Sequence, residues 1–562
     1  MFGPILLGLV AAVFASIPSA VNQAFRAFSW TSPVPILGVA AAAMLIQHFI
    51  LDRRPGYRGY DGLADLFVDI HTPGSGDTPL RWALRGFVSL LLATFGGAAG
   101  PEGAAVEYAQ AVATGVRGRA ARWFEQRRRT DAACALAAGF AAAFWAPFAG
   151  LLLPIEMGIG GRTAPIAISA LTGYLGARGI SQLTLARPFD LGGVLAGFHV
   201  EGFAQYQLLA GIALASGIVA AGLIRFIRFF QESLLDLFQT QTWMRTLAGG
   251  ILLCLVTLVH TPGHEPGYVL LERIVWGQGT IQEIGLLIAT QVLILSAVLS
   301  GFGTIGIFWP TLALGGLIGF EIFRLVGPAG VGSLPIAVAL VGGTALWSAV
   351  FGAPLAAAIA AYELGGNPEV ILPCFLGGLI ALRVRRWLRT PALYDRDLEA
   401  RGLTLIDGKS VKVLDALFVR DAMVTDHENV GEQEPVAELH ARMLKSRYPF
   451  LAVVNAQGRY AGLLTLDLVQ EAYQRQIESR VSLNQLLEAK DILYRAKNRV
   501  PTIKAGERLT AGAGMFSSSP CVPVISDEGR VVGLLFAYSV RLAYDREVAR
   551  RSLSFESTEV AP

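Results

Sequence analysis

The sequence predicts an α-helical polytopic membrane protein, made of two inverted-repeat halves with broken, re-entrant helices and followed by a C-terminal α/β pair of repeats. Three observations predict it. Apolar residues make up 53% of the 562 positions and charged residues only 16%, against roughly 25% charged in soluble domains. Apolar runs approaching the ~20 residues that cross a bilayer recur through residues 1–390. After residue 415 the texture changes to β-branched runs alternating with amphipathic helices, and no lysine occurs before Lys409.

The clear apolar runs are 4–22, 33–51, 83–99, 132–155, 206–226, 245–260, 285–301 and 370–382. Phe2–Val21 resembles a signal peptide superficially, but no basic stretch precedes it and another apolar run follows at once, so it reads as a membrane helix. Many runs are broken by Gly or Pro, as at Gly100-Pro101, Ala146-Pro147, Trp309-Pro310 and Ala353-Pro354. Interrupted helices at membrane depth are tolerated where the freed backbone lines a polar cavity. Arginines set the orientation. Arg117, Arg119, Arg122, Arg127, Arg128 and Arg129 share one loop, and Arg383, Arg385, Arg386 and Arg389 follow the last run. The positive-inside rule places both clusters, and the C-terminus, in the cytoplasm.

An internal repeat organises the apolar part. Phe144-Trp-Ala-Pro147-Phe-Ala returns as Phe351-Gly-Ala-Pro354-Leu-Ala, and a glutamate follows each proline nine residues on, as Glu156 and Glu363. Upstream, Gly100-Pro-Glu-Gly103 precedes Pro147 by 47 residues, and Gly306-Ile-Phe-Trp-Pro310 precedes Pro354 by 48. Two halves with breaks in matching register point to a pseudo-symmetric transporter with its site between them. A second repeat follows: Pro449, Gly458, Arg459 and Gly462-Leu-Leu recur 71 residues on as Pro520, Gly529, Arg530 and Gly533-Leu-Leu. Each copy reads as strand, turn, strand and helix.

An anion stripped of water in hydrocarbon needs donors weaker than a full positive charge, or it would not leave. Helix N-termini supply them through unpaired amides and about half a positive charge. The breaks Gly100-Pro101-Glu102-Gly103 and Gly306-Ile307-Phe308-Trp309-Pro310 are where such N-termini begin. Glu102 lies in the middle of a glycine-rich apolar segment, where an acidic side chain is costly and marks function. Its carboxylate can occupy the anion's own place and, once protonated, swing away.

These residues resemble those of the CLC chloride channels and proton/chloride exchangers. Gly100-Pro-Glu-Gly103 is similar to the family's Gly-x-Glu-Gly-Pro motif, Gly306-Ile-Phe-Trp-Pro310 to its Gly-x-Phe-x-Pro motif, and Pro391-Ala-Leu-Tyr394 to the Pro-Leu-Tyr segment after the last membrane helix. The C-terminal repeat resembles the paired CBS domains of many members. The resemblance spans nearly the whole chain. It implies that Glu102 is the external gating glutamate and that the amides of Ile307 and Phe308 contact the central anion. It further implies that the Tyr394 hydroxyl completes that site, and that the protein is a homodimer with a pore in each subunit.

Several positions depart from the family. The first family motif, Gly-Ser-Gly-Ile-Pro, falls at Gly59-Tyr60-Asp61-Gly62-Leu63, so Tyr60 takes the serine place. A phenol still donates to an anion, but narrows the entrance. Ala104 replaces the proline after the gating motif. The exchangers' inner proton-transfer glutamate, which follows the Glu156 position, is Met157, and a thioether carries no proton. This favours uncoupled or weakly proton-coupled anion flux; a proton-coupled chloride antiporter, with Glu156 or water as the relay, is the alternative.

The remaining motifs point elsewhere or nowhere. Gly301-Phe-Gly303-Thr-Ile-Gly306 matches a dinucleotide fingerprint but lies between membrane runs. His260 and His264 are separated by Pro and Gly, which prevent the helix that would align them on a metal. The four cysteines are scattered without metal or disulfide spacing. No arrangement reads as an enzyme's catalytic set, and a net charge of +3 gives no reason to expect nucleic acid. For adenine nucleotide, the Ser/Thr-x-x-Asp pattern of CBS pairs is only approximated by Thr465 and Asp467, whose aspartate comes one place early. The second copy has none, so packing and dimerisation are the expected roles.

The expected map is a membrane domain over 1–395, with halves 1–190 and 191–395, and a linker over 396–415. CBS 1 over 416–480, CBS 2 over 481–550 and a flexible tail over 551–562 complete it. The expected partners are chloride or another small anion, the bilayer of the plasma (inner) membrane, and a second copy of the chain. A CBS-regulated cation transporter, for Mg²⁺ for instance, would need several carboxylates converging on one cavity. A membrane sensor that transports nothing would leave the repeat without a purpose.

Overall fold

Broken apolar runs become pairs of helices meeting at Gly-Pro and Ala-Pro joints. The computed structural model of the chain describes residues 2–27, 63–71, 78–95, 99–116, 125–184, 195, 198–200, 202–237, 242–259, 267, 269–271, 279–301, 306–326, 334–394, 405–406, 409–410, 417–446, 448–478, 487–496, 500–517, 519–544 and 546. The chain divides into two units, one holding nearly all residues up to 409 and the other residues 410–562.

In the first half of the membrane unit run α1 (Phe2–Ala27), α2 (Leu63–His71), α3 (Pro79–Phe95), α4 (Pro101–Val116), α5 (Glu125–Phe144), α6 (Pro147–Glu156) and α7 (Thr163–Thr184). The second half holds α8 (Phe203–Leu237), α9 (Thr242–Val259), α10 (Ile281–Gly301), α11 (Phe308–Val326), α12 (Leu334–Phe351), α13 (Pro354–Gly365) and α14 (Ile371–Trp387). Among the described residues, five helices are long and apolar enough to cross a membrane: α1, α8, α10, α11 and α12. The expected runs fall in α1, α3, α8, α9, α10 and α14, while 132–155 resolves into α5 and α6. The run 33–51 lies outside the described residues. Helices α2, α4, α7, α11, α12 and α13 add to the expected runs.

The joints repeat in detail. Trp145 adopts φ 55° and its counterpart Gly352 φ 79°. The next residues, Ala146 and Ala353, have φ/ψ of −122°/79° and −126°/69°, and Pro147 and Pro354 open the short helices. One left-handed residue thus turns the chain in each half. Glycine does this freely, whereas Trp145 bears a cost of ~1–2 kcal/mol, and Arg178 lies 4.9 Å over its ring. Helices α11 and α12 meet at backbone distance. A Cβ on Gly315 would stand 2.4 Å from the Gly342 carbonyl, and one on Gly342 would stand 2.5 Å from the Gly315 carbonyl. Without a hydrophobic drive between helices in lipid, such small residues supply the contact.

The two-residue strands β1 (Leu405–Ile406) and β2 (Lys409–Ser410) pair, and the second unit then holds two like modules. The first contains β3 (Asn429–Gly431), α16 (Val436–Lys445), β4 (Phe450–Val454), β5 (Tyr460–Thr465) and α17 (Leu466–Glu478), preceded by α15 (Val419–Ala422). The second contains β6 (Ile503–Lys504), α19 (Leu509–Ala513), β7 (Cys521–Ile525) and β8 (Val531–Phe536), preceded by α18 (Ala489–Ala496). In each sheet the first strand pairs parallel and the last antiparallel with the middle one. Gly458 (φ 73°) and Gly529 (φ 81°) make the hairpin turns, as the 71-residue repeat predicts.

The leading helices cross over. Val419 and Ala422 of α15 pack with Ile503, Leu509 and Val522 of the second module, and Val424 exchanges both backbone hydrogen bonds with Leu534 at 2.8 and 2.9 Å. Ala489 and Ile492 of α18 pack with Val430, Val436 and Leu451 of the first. A boundary between residues 480 and 481 therefore separates each sheet from a helix it needs. The two modules form one folding unit, which sequence similarity between the copies does not reveal.

Candidate functional site

The two glycine-rich breaks touch. The Gly100 amide donates to the Gly306 carbonyl at 2.7 Å, so the start of α4 is stitched to the start of α11 across the two halves. A side chain at Gly306 would run into backbone, and one at Gly100 would displace the Glu102 carboxylate. A Cβ on Gly306 would lie 2.5 Å from the Gly100 carbonyl oxygen, and a Cβ on Gly100 would lie 1.9 Å from Glu102 Oε2. Pro101 opens α4 at a position where a missing N–H costs nothing, and Pro310 sits equally harmlessly in the first turn of α11.

Glu102 is fully buried, and its Oε1 accepts hydrogen bonds from the amides of Phe308 at 2.9 Å and Trp309 at 3.2 Å. Those amides have no carbonyl one turn back to serve, and the helix dipole adds positive potential to them. Oε2 has no hydrogen-bond partner among the described residues. The amides stand in an aromatic shell: Phe144 stacks on Trp309 at 4.3 Å, Phe308 packs on Phe351 at 4.4 Å, and Phe140 meets Phe308 edge-on at 5.7 Å. Such apolar surroundings strengthen each charge–amide contact. A cleft lined by Ser16, Ser19, Trp145 and Ser181 reaches Pro101 and Trp309.

Other expected site residues fall differently. The amides that hold the carboxylate belong to Phe308 and Trp309, whereas the expectation for Ile307 and Phe308 concerns a central anion. Ile307 instead offers its carbonyl to the Thr311 amide and hydroxyl at 3.1 and 2.6 Å. Gly103 is buried in the first turn of α4. The Tyr394 hydroxyl donates to the Phe351 carbonyl at 2.8 Å, with its ring 5.4 Å from that of Phe67. Arg225 and Arg228 of α8 brace the preceding segment through the Leu388 and Ala392 carbonyls at 2.5 and 2.7 Å. Gly59 and Tyr60 lie outside the described residues, as do His260, His264 and the tail 551–562.

Glu156 has a clear employment. Its two oxygens accept the Leu355 and Ala356 amides at the start of α13, at 2.9 and 2.8 Å. Glu363 does the same for the Phe148 and Ala149 amides at the start of α6, at 2.9 and 2.8 Å. Each half thus caps a helix of the other, which is why the proline-to-glutamate spacing repeats. Both Glu156 oxygens are taken, and Met157 beside it is buried with no proton to give. Charge-assisted hydrogen bonds contribute ~1.5–3 kcal/mol each, so Glu363→Ala is expected to lower the thermal midpoint in detergent by several degrees. An unchanged midpoint would show that the cap carries no load.

Sequence inspection passed over a buried ionic cluster on the helices next to Glu102. Arg85 of α3 contacts Asp65 of α2 at 2.5 Å and Glu107 of α4 at 3.7 Å, and Trp82 lies under its guanidinium at 4.7 Å. The Ser89 hydroxyl donates to Glu107. Gln110 Nε2 donates to Asp69 Oδ2 at 2.7 Å, and Arg128 to the Asp69 carbonyl at 3.2 Å. Ionisable residues inside apolar helices were the available signal. Among the described residues no group of three or more His, Cys, Asp or Glu side chains could hold a metal ion. The converging carboxylates Asp65 and Glu107 meet a guanidinium instead.

In the C-terminal unit a cavity is lined by Asp421, Met423, Tyr448, Tyr538, Ser539 and Arg546, without Thr465 or Asp467. The Thr465 hydroxyl accepts from the Leu468 amide at 3.4 Å, and Asp467 sits in the first turn of α17. The second module's Ser539 hydroxyl donates to the Phe536 carbonyl at 2.9 Å.

Residues 38–386 match the family model described as voltage gated chloride channel, and residues 419–474 match that of the CBS domain. The voltage-gated ClC-type chloride channel ClcB of Shigella flexneri is 27% identical over 398 residues, covering 67% of this chain and 89% of that protein. A putative chloride channel protein, ClcB-like, of Ralstonia nicotianae is 25% identical over 393 residues, covering 66% and 87%. Among solved structures, a slow cyanobacterial Cl⁻/H⁺ antiporter shares the fold at TM-score 0.57 and 22% identity, over 71% of this chain and 97% of that one. A eukaryotic CLC transporter aligns at TM-score 0.54 and 16% identity over 96% of this chain and 97% of that one.

Proposed function

Because the chain belongs to the voltage-gated chloride channel family, an integral membrane family, we propose that it carries chloride or a similar small anion between its two halves and that Glu102 is the gate. The observation that carries this reading is the pair of hydrogen bonds from the Phe308 and Trp309 amides to Glu102 Oε1, at 2.9 and 3.2 Å. A carboxylate in that place stands in for the transported ion: both are anions that satisfy the same amides. Protonation removes the charge the amides hold and lets the side chain leave, so acid opens the path and an anion then takes the amides over. Tyr394, whose hydroxyl now serves the Phe351 carbonyl, donates to an anion only after that bond is exchanged.

Met157 leaves the family's inner proton position without a proton, and the Glu156 oxygens are both engaged. Coupling to protons through those two residues is therefore disfavoured. The protein works as a homodimer with a path in each subunit, its arginine-rich loops and CBS unit in the cytoplasm, in the inner membrane of a bacterial cell. The CBS unit regulates the flux. The test is chloride efflux from liposomes that contain the purified protein, with external pH varied. Efflux that rises as pH falls is expected; no chloride flux at any pH would overturn the reading.

A further inference from the structure

Trp145 holds a conformation that suits its counterpart better. The left-handed joint between α12 and α13 is made by Gly352 at φ 79°, with open space where a Cβ would stand. At the matching joint between α5 and α6, Trp145 takes φ 55°, an outlier for a bulky residue. Turning the chain needs no indole. Such strain persists only where the surroundings impose it, and it gathers at functional sites. The Arg178 guanidinium, 4.9 Å over the Trp145 ring and 5.8 Å from that of Tyr174, holds the indole in place.

Its neighbours give the indole a use. Trp145 lines a cleft with Ser16 and Ser19 of α1 and Ser181 of α7, and the cleft ends on Pro101 and Trp309. Pro101 opens α4 and Trp309 lies in the first turn of α11, so the cleft reaches both helix starts that meet at Glu102. Its room is about 20 Å³, on the order of one water. Of the two large side chains on it, Trp309 is built into the aromatic shell through Phe144, and Trp145 stands as the outer wall. The lining suits an anion. Ser16 and Ser19 donate to the Ala12 and Ser16 carbonyls at 2.8 and 2.9 Å, so the buried Ser181 is the hydroxyl left to donate into the cleft. Arg178 follows the lining residue Ala177 and is exposed, and among the described residues no carboxylate pairs with it. Helix α5 starts after the arginine-rich loop and runs 20 residues to Phe144, ~30 Å. Trp145 therefore lies at the end away from the side that the positive-inside rule calls cytoplasmic.

We propose that Trp145 is the flux-limiting wall of the anion's external mouth, held across the cleft by Arg178, whose charge gathers anions at the rim. The inference rests on the reading of Glu102 as the gate of an anion path. An anion drawn to Arg178 sheds water and passes between the indole and the Ser181 hydroxyl. It reaches the Phe308 and Trp309 amides once Glu102 has left them. The narrow cleft admits one small, stripped ion at a time, so its wall sets both the rate and the size of anion accepted. An indole near the lipid–water boundary also serves as a membrane anchor; that role alone would touch stability and leave rate and anion choice as they are.

The experiment compares uptake of chloride and of the bulkier thiocyanate into liposomes holding the full chain, at acid pH where Glu102 is out of the way. Trp145→Gly keeps the joint, because glycine adopts φ > 0 without steric cost. By lowering the barrier at the mouth it is expected to raise the chloride rate about tenfold and the thiocyanate-to-chloride ratio at least about threefold. Arg178→Gln is expected to raise the chloride concentration at half-maximal rate about threefold in low salt, a difference that closes when impermeant salt screens the charge. Arg178→Lys should restore the wild-type value. Wild-type rate and anion ratio in Trp145→Gly overturn the inference, whatever the thermal midpoint does. Should Trp145→Gly fail to fold, Ser181→Cys decides: a membrane-impermeant anionic thiol reagent is expected to stop most of its flux relative to wild type treated alike, and flux that survives the reagent overturns the inference. Absence of chloride flux in the wild type overturns the anion reading itself, whereas unchanged Trp145→Gly beside an active wild type overturns this inference alone.

Discussion

Glu102→Gln is expected to give a protein that still moves chloride but has lost its response to pH. Glutamine occupies the same volume, so the α4–α11 junction survives, yet its neutral side chain no longer brings an anionic charge to the Phe308 and Trp309 amides. Hydrogen bonds to a charged acceptor are worth ~1.5–3 kcal/mol against about 1 for neutral ones. Across two bonds the difference makes displacement by chloride easier by roughly 10–100-fold, at 1.4 kcal/mol per factor of ten. Chloride efflux at neutral pH should therefore rise to the level the wild type reaches in acid, and the ratio of acid to neutral rates should fall to about one. The measurement is efflux from liposomes across a pH series. A Gln variant with the wild-type pH profile would remove Glu102 from the gate.

Gly306→Ala is expected to abolish most of the flux by a different route. The added Cβ would stand 2.5 Å from the Gly100 carbonyl oxygen, and backbone, unlike a flexible side chain, has no rotamer in which to retreat. Either the Gly100–Gly306 hydrogen bond breaks or the start of α11 moves, and both displace the amides from Glu102. Overpacking of this kind costs ~1–3 kcal/mol, which a large membrane unit tolerates, so the variant should be obtained folded with a lowered thermal midpoint and chloride flux reduced at least about tenfold. Gly285 of α10 has open space around it, and Gly285→Ala is the control, expected to transport normally. Wild-type flux in Gly306→Ala would mean that contact between the two breaks does not position the site.

Both variants lie at positions that stand out in the sequence, because a glycine-proline break or an acidic residue in an apolar run conflicts with its local surroundings. The proline-to-glutamate spacing was equally visible, but its meaning was not. Glu156 looked like a neighbour of the proton position, and only the cross-repeat hydrogen bonds from Leu355 and Ala356 reveal a helix cap. Glu107 went unremarked because a single glutamate within α4 carries no spacing signal. Its partners Arg85 and Asp65 are 22 and 42 positions away and meet it only through packing.

Sequence by itself determined the kind of protein, the two repeats, the joints and the choice of Glu102 as the gate proposed here, since each is a local pattern of apolar length, helix breaking or charge. Tertiary structure alone decided which amides Glu102 occupies, which helix each repeated glutamate caps, that the C-terminal modules exchange their leading helices, and that Asp65 and Glu107 meet at the Arg85 guanidinium. Those facts depend on contacts between segments up to 215 residues apart. Burial, which makes a charged contact matter, arises only when the helices close around it.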